Sequence, residues 1–339
     1  MEPETARGRA ALAEEASGRF HMRNRLLSST IVLAVAWAVW SLASSIPAAG
    51  QTPPAKPTSF GGCPAETLAF HACAQEKAKT FNPPRTPDGV PDLQGYWRDQ
   101  LTHGFSIEGV EESEPEVRNV VQPWPVGPGM IVDPPDRKIP YQPWAAKIGR
   151  KGVNYEKYID PTSSCRPYSP PRDVQVSTFH QLLQPPGGHT VLWLMEEVHS
   201  YRVIHTDGRP HLGKGVKLWK GDAVGRWEGN TLVVDVTNFN GYTWLDDLGN
   251  FYTDAARVVD RWTMIDPDTM HYEVTIEDPT VYTQPWKLAW PITRDKISGL
   301  ELIEEACWEG ERDLHRFRSQ GYRTYFGQPW RAARAGSGS

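Results

Sequence analysis

Residues that can carry out proton transfer lie between positions 207 and 247 of the chain. His211 is the best candidate for a general acid or base, because an unperturbed imidazole changes charge near neutral pH. Asp246 and Asp235 are its candidate carboxylate partners, and all three are predicted to be catalytic. For His211 and Asp246 the structural alternative is a hydrogen bond that stabilises a rim or a turn. For Asp235 it is an ion pair with Arg257 or Arg261.

A turn and several tryptophans near these residues are predicted to contact a ligand. Asp207 can close the turn through its own backbone, and Arg209 can pair with Asp222 or with an anionic group of a ligand. The chain holds 14 Trp, an excess that suits either an aromatic-lined cavity or a rigid β core. The predicted ligand-binding residues are Arg209, Asp207, Trp219, Trp227, Trp244 and Arg261.

The four cysteines favour disulfide bonds over a metal site. An even number of cysteines in an exported protein is typical of disulfides. Cys63 with Cys73 is the natural local pair, which leaves Cys165 with Cys307, although three pairings are possible. No two cysteines have CxxC spacing, and the histidines and carboxylates between positions 197 and 205 are spaced too loosely to favour a metal. No metal ion is therefore expected.

The first 50 residues are predicted to be an N-terminal extension followed by a signal peptide. Arg23 and Arg25 precede an apolar run from Ile31 to Leu42, and small residues follow before Gln51. These are the parts of a secretory signal peptide, and Met22 begins the pattern. Cleavage before Gln51 predicts a periplasmic or secreted protein. The alternative is an uncleaved anchor, which would be the only expected contact with a membrane.

The chain after the leader has the pattern of short strands joined by turns. Between positions 231 and 239, Leu232, Val234 and Val236 alternate with a more polar set, as in a strand with one dry face. Short connections predict antiparallel neighbours, and a long meander removes its edges by closing on itself. We therefore predict an all-β fold with few short helices: an antiparallel up-and-down lipocalin-like barrel, with a β-sandwich as the alternative. The predicted strands cover 93–97, 179–184, 190–196, 200–206, 223–228, 231–239, 257–265, 270–277, 286–293 and 300–307, with short helices near 143–150 and 253–256.

The same pattern sets the expected domain boundaries. Residues 51–92 are rich in proline and read as a linker that holds a small element with Cys63 and Cys73. Residues 93–325 form the β-rich domain, and residues 326–339 are predicted to be a flexible tail. In the barrel, alternate side chains are expected to point into a common interior, where the candidate catalytic and ligand-binding residues can meet.

Three strings of residues resemble a family of uncharacterised exported bacterial proteins. They read PDLQGYW at 91–97, TDGRPH at 206–211 and GRWEGNTLVVD at 225–235. The resemblance covers roughly residues 85–310 and implies export without implying a reaction. The Gly95-Tyr96-Trp97 segment is also similar to the Gly-x-Trp start of lipocalin-like barrels, in agreement with the strand pattern.

Together these features predict an exported barrel that binds a small, partly apolar molecule in an aromatic-lined cavity. The residues would convert this molecule by acid–base chemistry of the lyase, isomerase or hydrolase type, without a cofactor. One alternative is a non-enzymatic envelope protein, and a further one is a carbohydrate-active enzyme that uses paired carboxylates. The net charge of −5 and the absence of a basic stripe argue against nucleic acid as a partner.

Overall fold

The computed structural model of the 339-residue chain describes residues 58–99, 106–110, 127–148, 160–176, 178–303 and 319. The leader predicted at 1–50, the tail predicted at 326–339 and Cys307 lie outside these ranges. Within them, no helix combines the length and the apolar character needed to cross a membrane.

The described residues form fourteen strands and three α-helices, most of them short. The strands are β1 (Ser59–Phe60), β2 (Cys63–Pro64), β3 (Gly95–Asp99), β4 (Gly109–Val110), β5 (Gly127–Pro128), β6 (Ile131–Asp133), β7 (His180–Leu183), β8 (Thr190–Met195), β9 (Tyr201–His205), β10 (Asp222–Glu228), β11 (Thr231–Thr237), β12 (Arg257–Asp266), β13 (Thr269–Glu277) and β14 (Trp286–Arg294). The α-helices are α1 (Thr67–Thr80), α2 (Pro143–Ala146) and α3 (Arg172–Gln175), with 3-10 turns at Pro161–Ser164 and Glu197–His199.

Nine of these strands close into a barrel, which confirms the predicted all-β, lipocalin-like fold. Around the barrel the order is β3, β7, β8, β9, β10, β11, β12, β13 and β14. The circle closes because β14 pairs with β13 on one side and with β3 on the other, where Ile292 lies beside Asp99. Strand β6 pairs with the first part of β14. The β-sandwich alternative is therefore not the observed fold.

One neighbouring pair in the barrel departs from the antiparallel pattern. Strands β9 and β10 run parallel, with Ile204 beside Ala223 and His205 beside Val224. A parallel pair needs a connection that returns the chain to the end of the barrel where the first strand began. Residues 206–221 make this connection, and we call them the crossover segment. The segment carries His211 and therefore decides where that residue lies.

The interior of the barrel is occupied by packed side chains. Leu232, Val234 and Val236 point inward and are fully buried, as the alternating pattern predicts. Trp193, Trp262, Tyr272 and Trp290 then contact one another in sequence, edge to face, with ring centroids 4.5–4.8 Å apart. Such edge-to-face contacts suit the charge distribution of aromatic rings. Much of the tryptophan excess therefore serves the core.

Two predicted elements are not formed as expected. Residues 300–303 belong to no strand, and the rest of the strand predicted at 300–307 lies outside the described residues. Strand β3 occupies the place beside β14. The segment predicted as a helix at 253–256 is a turn, because the backbone N–H and the hydroxyl of Thr253 both donate to Asp278, each at 2.7 Å. These bonds anchor the segment to the loop that follows β13.

The N-terminal element packs against the outside of the barrel. A disulfide joins Cys63 to Cys73, as predicted, and ties the β1–β2 hairpin to α1. Helix α1 follows the hairpin, and the Glu66 side chain caps it by accepting a hydrogen bond from the backbone of Ala69. Its apolar side packs on Ile265 of β12. Cys165 is also disulfide-bonded, while its expected partner, Cys307, lies outside the described residues.

Candidate functional site

A cleft of about 630 Å³ lies where the crossover segment meets β11 and β12 on the outside of the barrel. A volume of this size falls in the range of sites for small molecules. The cleft is lined by His211, Leu212, Lys214, Lys217, Thr237, Asn238, Asp254, Ala255, Ala256 and Arg257.

Asn238 holds the crossover segment in place to form one wall of the cleft. Its side-chain amide donates to the backbone carbonyls of Leu212, Gly213 and Val216, at 3.3, 3.0 and 2.9 Å. Its backbone has a φ of 63°, a left-handed conformation that asparagine tolerates better than most residues. The Thr237 hydroxyl donates to the Asn238 side-chain oxygen at 2.8 Å and orients the amide. One residue at the end of β11 thus fixes the loop that carries His211.

Replacing Asn238 with glycine should loosen this wall while keeping the left-handed backbone. We expect trypsin to cut after Lys214 or Lys217 at least about tenfold faster, because losing three hydrogen bonds favours local opening. Limited proteolysis followed by mass spectrometry measures this rate. Asn240→Gly is the control, because among the described residues the Asn240 side chain hydrogen-bonds only to the backbone N–H of Tyr242. Equal cleavage in both variants would show that Asn238 does not hold the segment.

His211 lies between two carboxylates at the edge of the cleft. Its Nδ1 is 2.9 Å from an oxygen of Asp222, which also accepts the backbone N–H of Leu212 at 2.9 Å. An ionised carboxylate only accepts hydrogen bonds, so Nδ1 carries the proton. On the other side, Nε2 lies 3.9 Å from an oxygen of Asp235, and about a quarter of the His211 side chain is exposed. Nε2 is therefore the nitrogen that can exchange a proton with a ligand.

Asp235 lies on the outer wall of the barrel, and the prediction that it meets His211 in an interior cavity is wrong. Asp235 has the opposite orientation to the inward-pointing Val234 and Val236. Of its two predicted partners, Arg257 binds it through two parallel hydrogen bonds of 2.9 and 2.7 Å. The crossover segment brings His211 to the same outer wall.

The cations that line the cleft differ in whether a carboxylate neutralises them within the described residues. The Lys217 ammonium donates to the backbone carbonyl of Asp254 at 2.8 Å and lies 3.7 Å from the Asp254 carboxylate. Lys214 is exposed and makes no ion pair with any part of the chain that the structure describes. Lys214 and Leu212, whose side chain is 47% exposed, both line the cleft, which thus offers a charge and an apolar surface.

Asp246, a predicted catalytic residue, lies outside this cleft and is fully buried. Its carboxylate accepts the backbone N–H groups of Ile107, Leu248 and Asn250, at 3.1, 3.2 and 3.1 Å, and the Asn250 side-chain amide at 2.7 Å. Burial raises the pKa of Asp246 to about 6, although these hydrogen bonds oppose the change. The carboxylate ties loops together, so the paired-carboxylate chemistry of the carbohydrate-active alternative gains no support from it.

The other predicted ligand-binding residues do not line the cleft. Arg209 pairs with Asp207 two residues away, at 2.8 Å, and not with Asp222. Arg261 pairs with Glu228 at 3.0 Å on the outer wall. Of the three predicted tryptophans, Trp244 is buried, Trp227 packs partly against the core, and Trp219 contacts Tyr242. The apolar surface of the cleft comes from Leu212, Ala255 and Ala256.

A buried group of charges inside the barrel was not predicted from the sequence. Arg202 bonds to Asp260 directly and to Asp173 of α3 at 3.4 Å, while Lys220 reaches Asp173 at 3.1 Å. The Tyr272 hydroxyl donates to Asp260 at 2.7 Å. Burial lowers the pKa of Lys220 to about 8 and raises that of Asp260, against the opposing pull of their ion partners. This group binds α3 and the crossover segment to the barrel interior.

The sequence does contain a signal for this buried group. Asp260 stands between Val258 and Trp262 in the positions of β12 that point inward, and a carboxylate at such a position requires a buried partner. Arg202 has the same orientation as Ile204 in β9. Two alternate residues of a five-residue strand are too short a pattern to predict that Arg202 is buried. The predicted site residues on β11 and β12, Asp235 and Arg261, instead face the outer wall of the barrel.

The fold and the cleft define a nine-stranded β-barrel with a disulfide-bonded element outside it and a histidine–carboxylate pair at a surface cleft. Comparisons of the chain with protein-family models, with curated proteins and with solved structures find no match. The function is therefore argued from the geometry of the cleft.

Proposed function

We propose that the protein binds a small, partly apolar molecule with an acidic group in the cleft beside His211. The observation that carries the proposal is that one cleft of about 630 Å³ is lined both by an imidazole held by Asp222 and by Lys214, which has no ion partner among the described residues. A carboxylate or phosphate of the ligand would bind Lys214, and the apolar part would rest on Leu212 and the alanines at 255 and 256.

We further propose that His211 exchanges a proton with the bound molecule, without a cofactor. Asp222 orients the ring through Nδ1 and stabilises the imidazolium that forms when Nε2 accepts a proton. Asp235 lies 3.9 Å from Nε2 and is itself held by an ion pair with Arg257. This chemistry fits a lyase, an isomerase or a hydrolase, in which a base removes or returns one proton.

We propose that this reaction or binding event takes place outside the cytoplasm, in the periplasm or the medium. The Cys63–Cys73 disulfide supports this location, because disulfides persist in oxidising compartments. Cys165, which is also disulfide-bonded, adds to the same argument. The partner of the protein is then a small molecule of the cell envelope or the environment.

Calorimetric titration with acids and their matched amides tests the binding proposal. Benzoate, hexanoate and phenyl phosphate should bind, while benzamide and hexanamide should bind at least about tenfold more weakly, because they cannot pair with a lysine. Lys214→Met should weaken the binding of the acids by about tenfold or more, since it keeps the apolar stem and removes the charge.

Lys296→Met is the matched control, because Lys296 is an exposed lysine that pairs with Asp268 at 2.6 Å and does not line the cleft. It should leave the affinities unchanged. Equal losses in the two lysine variants, or equal affinities for acids and amides, would contradict the acidic-group assignment. No binding by any compound would favour the non-enzymatic envelope role, which the packed barrel interior also suits.

A further inference from the structure

A group of metal-ligating side chains lies where α1 packs against β13. His71 belongs to α1, and His271 and Glu273 are alternate residues of β13. Because alternate strand residues share a face, His271 and Glu273 both point away from the inward-facing Tyr272 and toward the helix. Phe70 packs edge-on against the His271 ring, with centroids 5.8 Å apart, and holds the helix at this position.

The three side chains are close enough to share one ion. His71 Nδ1 lies 3.0 Å from His271 Nε2, and His71 Nε2 lies 3.8 Å from an oxygen of Glu273. One ligand atom from each residue can be chosen so that all three lie within 4.8 Å of one another. Two nitrogens bound tetrahedrally to Zn²⁺ at about 2.0–2.1 Å are about 3.3 Å apart, so the histidine pair needs little movement. Glu273 needs a rotation of its carboxylate.

The three side chains are largely shielded from solvent, and a lysine lies beside them. His271 is 5% exposed, and burial lowers its pKa to about 3, with His71 and Arg261 lowering it further. Burial also lowers the pKa of His71, although Glu273 opposes this effect. Lys287 lies 3.5 Å from Glu273 and is the cation that a metal ion would replace.

We propose that His71, His271 and Glu273 bind a divalent transition-metal ion, with Zn²⁺ as the preferred type, between α1 and the barrel wall. Two imidazoles and one carboxylate match the ligands of three-residue zinc sites, and they leave a fourth position for water or another small ligand. The Gln75 amide nitrogen donates to His71 Nε2 over 3.1 Å; with Nδ1 on the ion, Nε2 would carry the proton, and the Gln75 carbonyl oxygen would accept it after a turn of the amide.

This ion would join parts of the chain that are 200 residues apart. It would hold the disulfide-bonded element against the barrel at a second point, beside the contact of Phe70 and Ala74 with Ile265. None of its ligands lines the cleft beside His211. The metal proposal is therefore independent of the function proposed for that cleft.

Untagged protein should be dialysed against EDTA, titrated with Zn²⁺ in a calorimeter, and analysed for metal content after removal of excess ion. We expect one Zn²⁺ per chain and a melting temperature that rises by about 5 °C or more at saturation. Co²⁺ should give the visible absorption of a four- or five-coordinate site. Loss of an orienting neighbour of a metal ligand commonly weakens binding 10–100-fold. His71→Gln and Glu273→Gln, which remove a ligand itself, should therefore each weaken Zn²⁺ binding by about 100-fold or more.

His205→Gln is the matched control, because it removes a histidine of β9 that belongs to no group of metal-ligating side chains within the described residues. It should bind Zn²⁺ as tightly as the unaltered chain. Circular dichroism of the metal-free variants checks that they are folded, and His71 is partly exposed, so its replacement should be tolerated. Equal affinity in His71→Gln, in Glu273→Gln and in the unaltered chain, or binding lost equally in His205→Gln, would overturn the proposal.

Discussion

Replacing Arg202 with methionine is expected to lower the free energy of unfolding by about 3–5 kcal/mol. Arg202 is 3% exposed and is the shared partner of Asp173 and Asp260, both of which are fully buried. Without the guanidinium group, and within the part of the chain that the structure describes, Asp260 keeps only the hydroxyl of Tyr272, and Asp173 keeps only Lys220 as an ion partner. A buried carboxylate that loses its partner carries the full cost of its lost hydration.

Urea unfolding monitored by tryptophan fluorescence measures this change, since six of the tryptophans that the structure describes are buried. Arg226→Met is the control, because Arg226 is 58% exposed and pairs with Glu228 at 2.6 Å on the surface. Exposed pairs contribute about 0–1 kcal/mol, so this variant should be nearly as stable as the unaltered chain.

The double variant Arg202→Met, Asp260→Leu sharpens the test. Removing both charges leaves Lys220 paired with Asp173 and no unmatched buried charge, so it should recover a large part of the lost stability. A loss in Arg202→Met as small as that in Arg226→Met would show that the buried group does not hold the barrel and α3 together.

A change in the pH dependence of stability is expected when His180 is replaced with phenylalanine. Burial lowers the pKa of His180 to about 4, with Asp173 opposing, from an unfolded value near 6.5. Between these two values the unfolded chain binds the proton and the folded chain does not. Stability is therefore fully present above pH 6.5 and is lost as the pH falls toward 4, by on the order of 3 kcal/mol.

Phenylalanine can keep the stacking on Trp193, whose ring lies 4.6 Å from that of His180, and it cannot bind a proton. His180→Phe should thus lose less stability than the unaltered chain when the pH is lowered from 7 to 4. His180→Gln separates titration from packing, because it also lacks the proton but does not stack. Urea unfolding curves at several pH values measure the slopes, and parallel curves for the unaltered chain and both variants would contradict the assignment.

The barrel was predictable because its strands are long enough to show period-two patterns. In β11 and β13 the inward residues are apolar and alternate with polar ones, for example Val234 beside Asp235 and Tyr272 beside Glu273. The parallel pairing of β9 with β10 was not predictable, because the crossover segment has no periodic pattern of its own. A local pattern reveals which face a residue occupies but not which strand lies beside it.

The cleft was only partly predictable for the same reason. His211 stood out by residue type, and Asp235 stood out as a carboxylate within a valine-rich strand. Their meeting on the outer wall depends on the crossover segment and on Asn238, whose three hydrogen bonds to that segment no spacing rule predicts. Trp244 is a predicted ligand-binding residue by its aromatic type alone. It is buried instead, in line with the general tendency of large rings to pack in the core.

The imidazole of His211 gives the most direct test of small-molecule binding at the cleft. In ¹⁵N-labelled protein, the ring nitrogens of each histidine can be followed by NMR while benzoate or phenyl phosphate is added. The proposal predicts that the free protein has a proton on Nδ1 of His211, facing Asp222, and that the Nε2 signal shifts in a saturable manner as the acid binds. The proposal would be contradicted if the His211 signals stay unchanged as acid is added, whether or not the signals of other histidines shift.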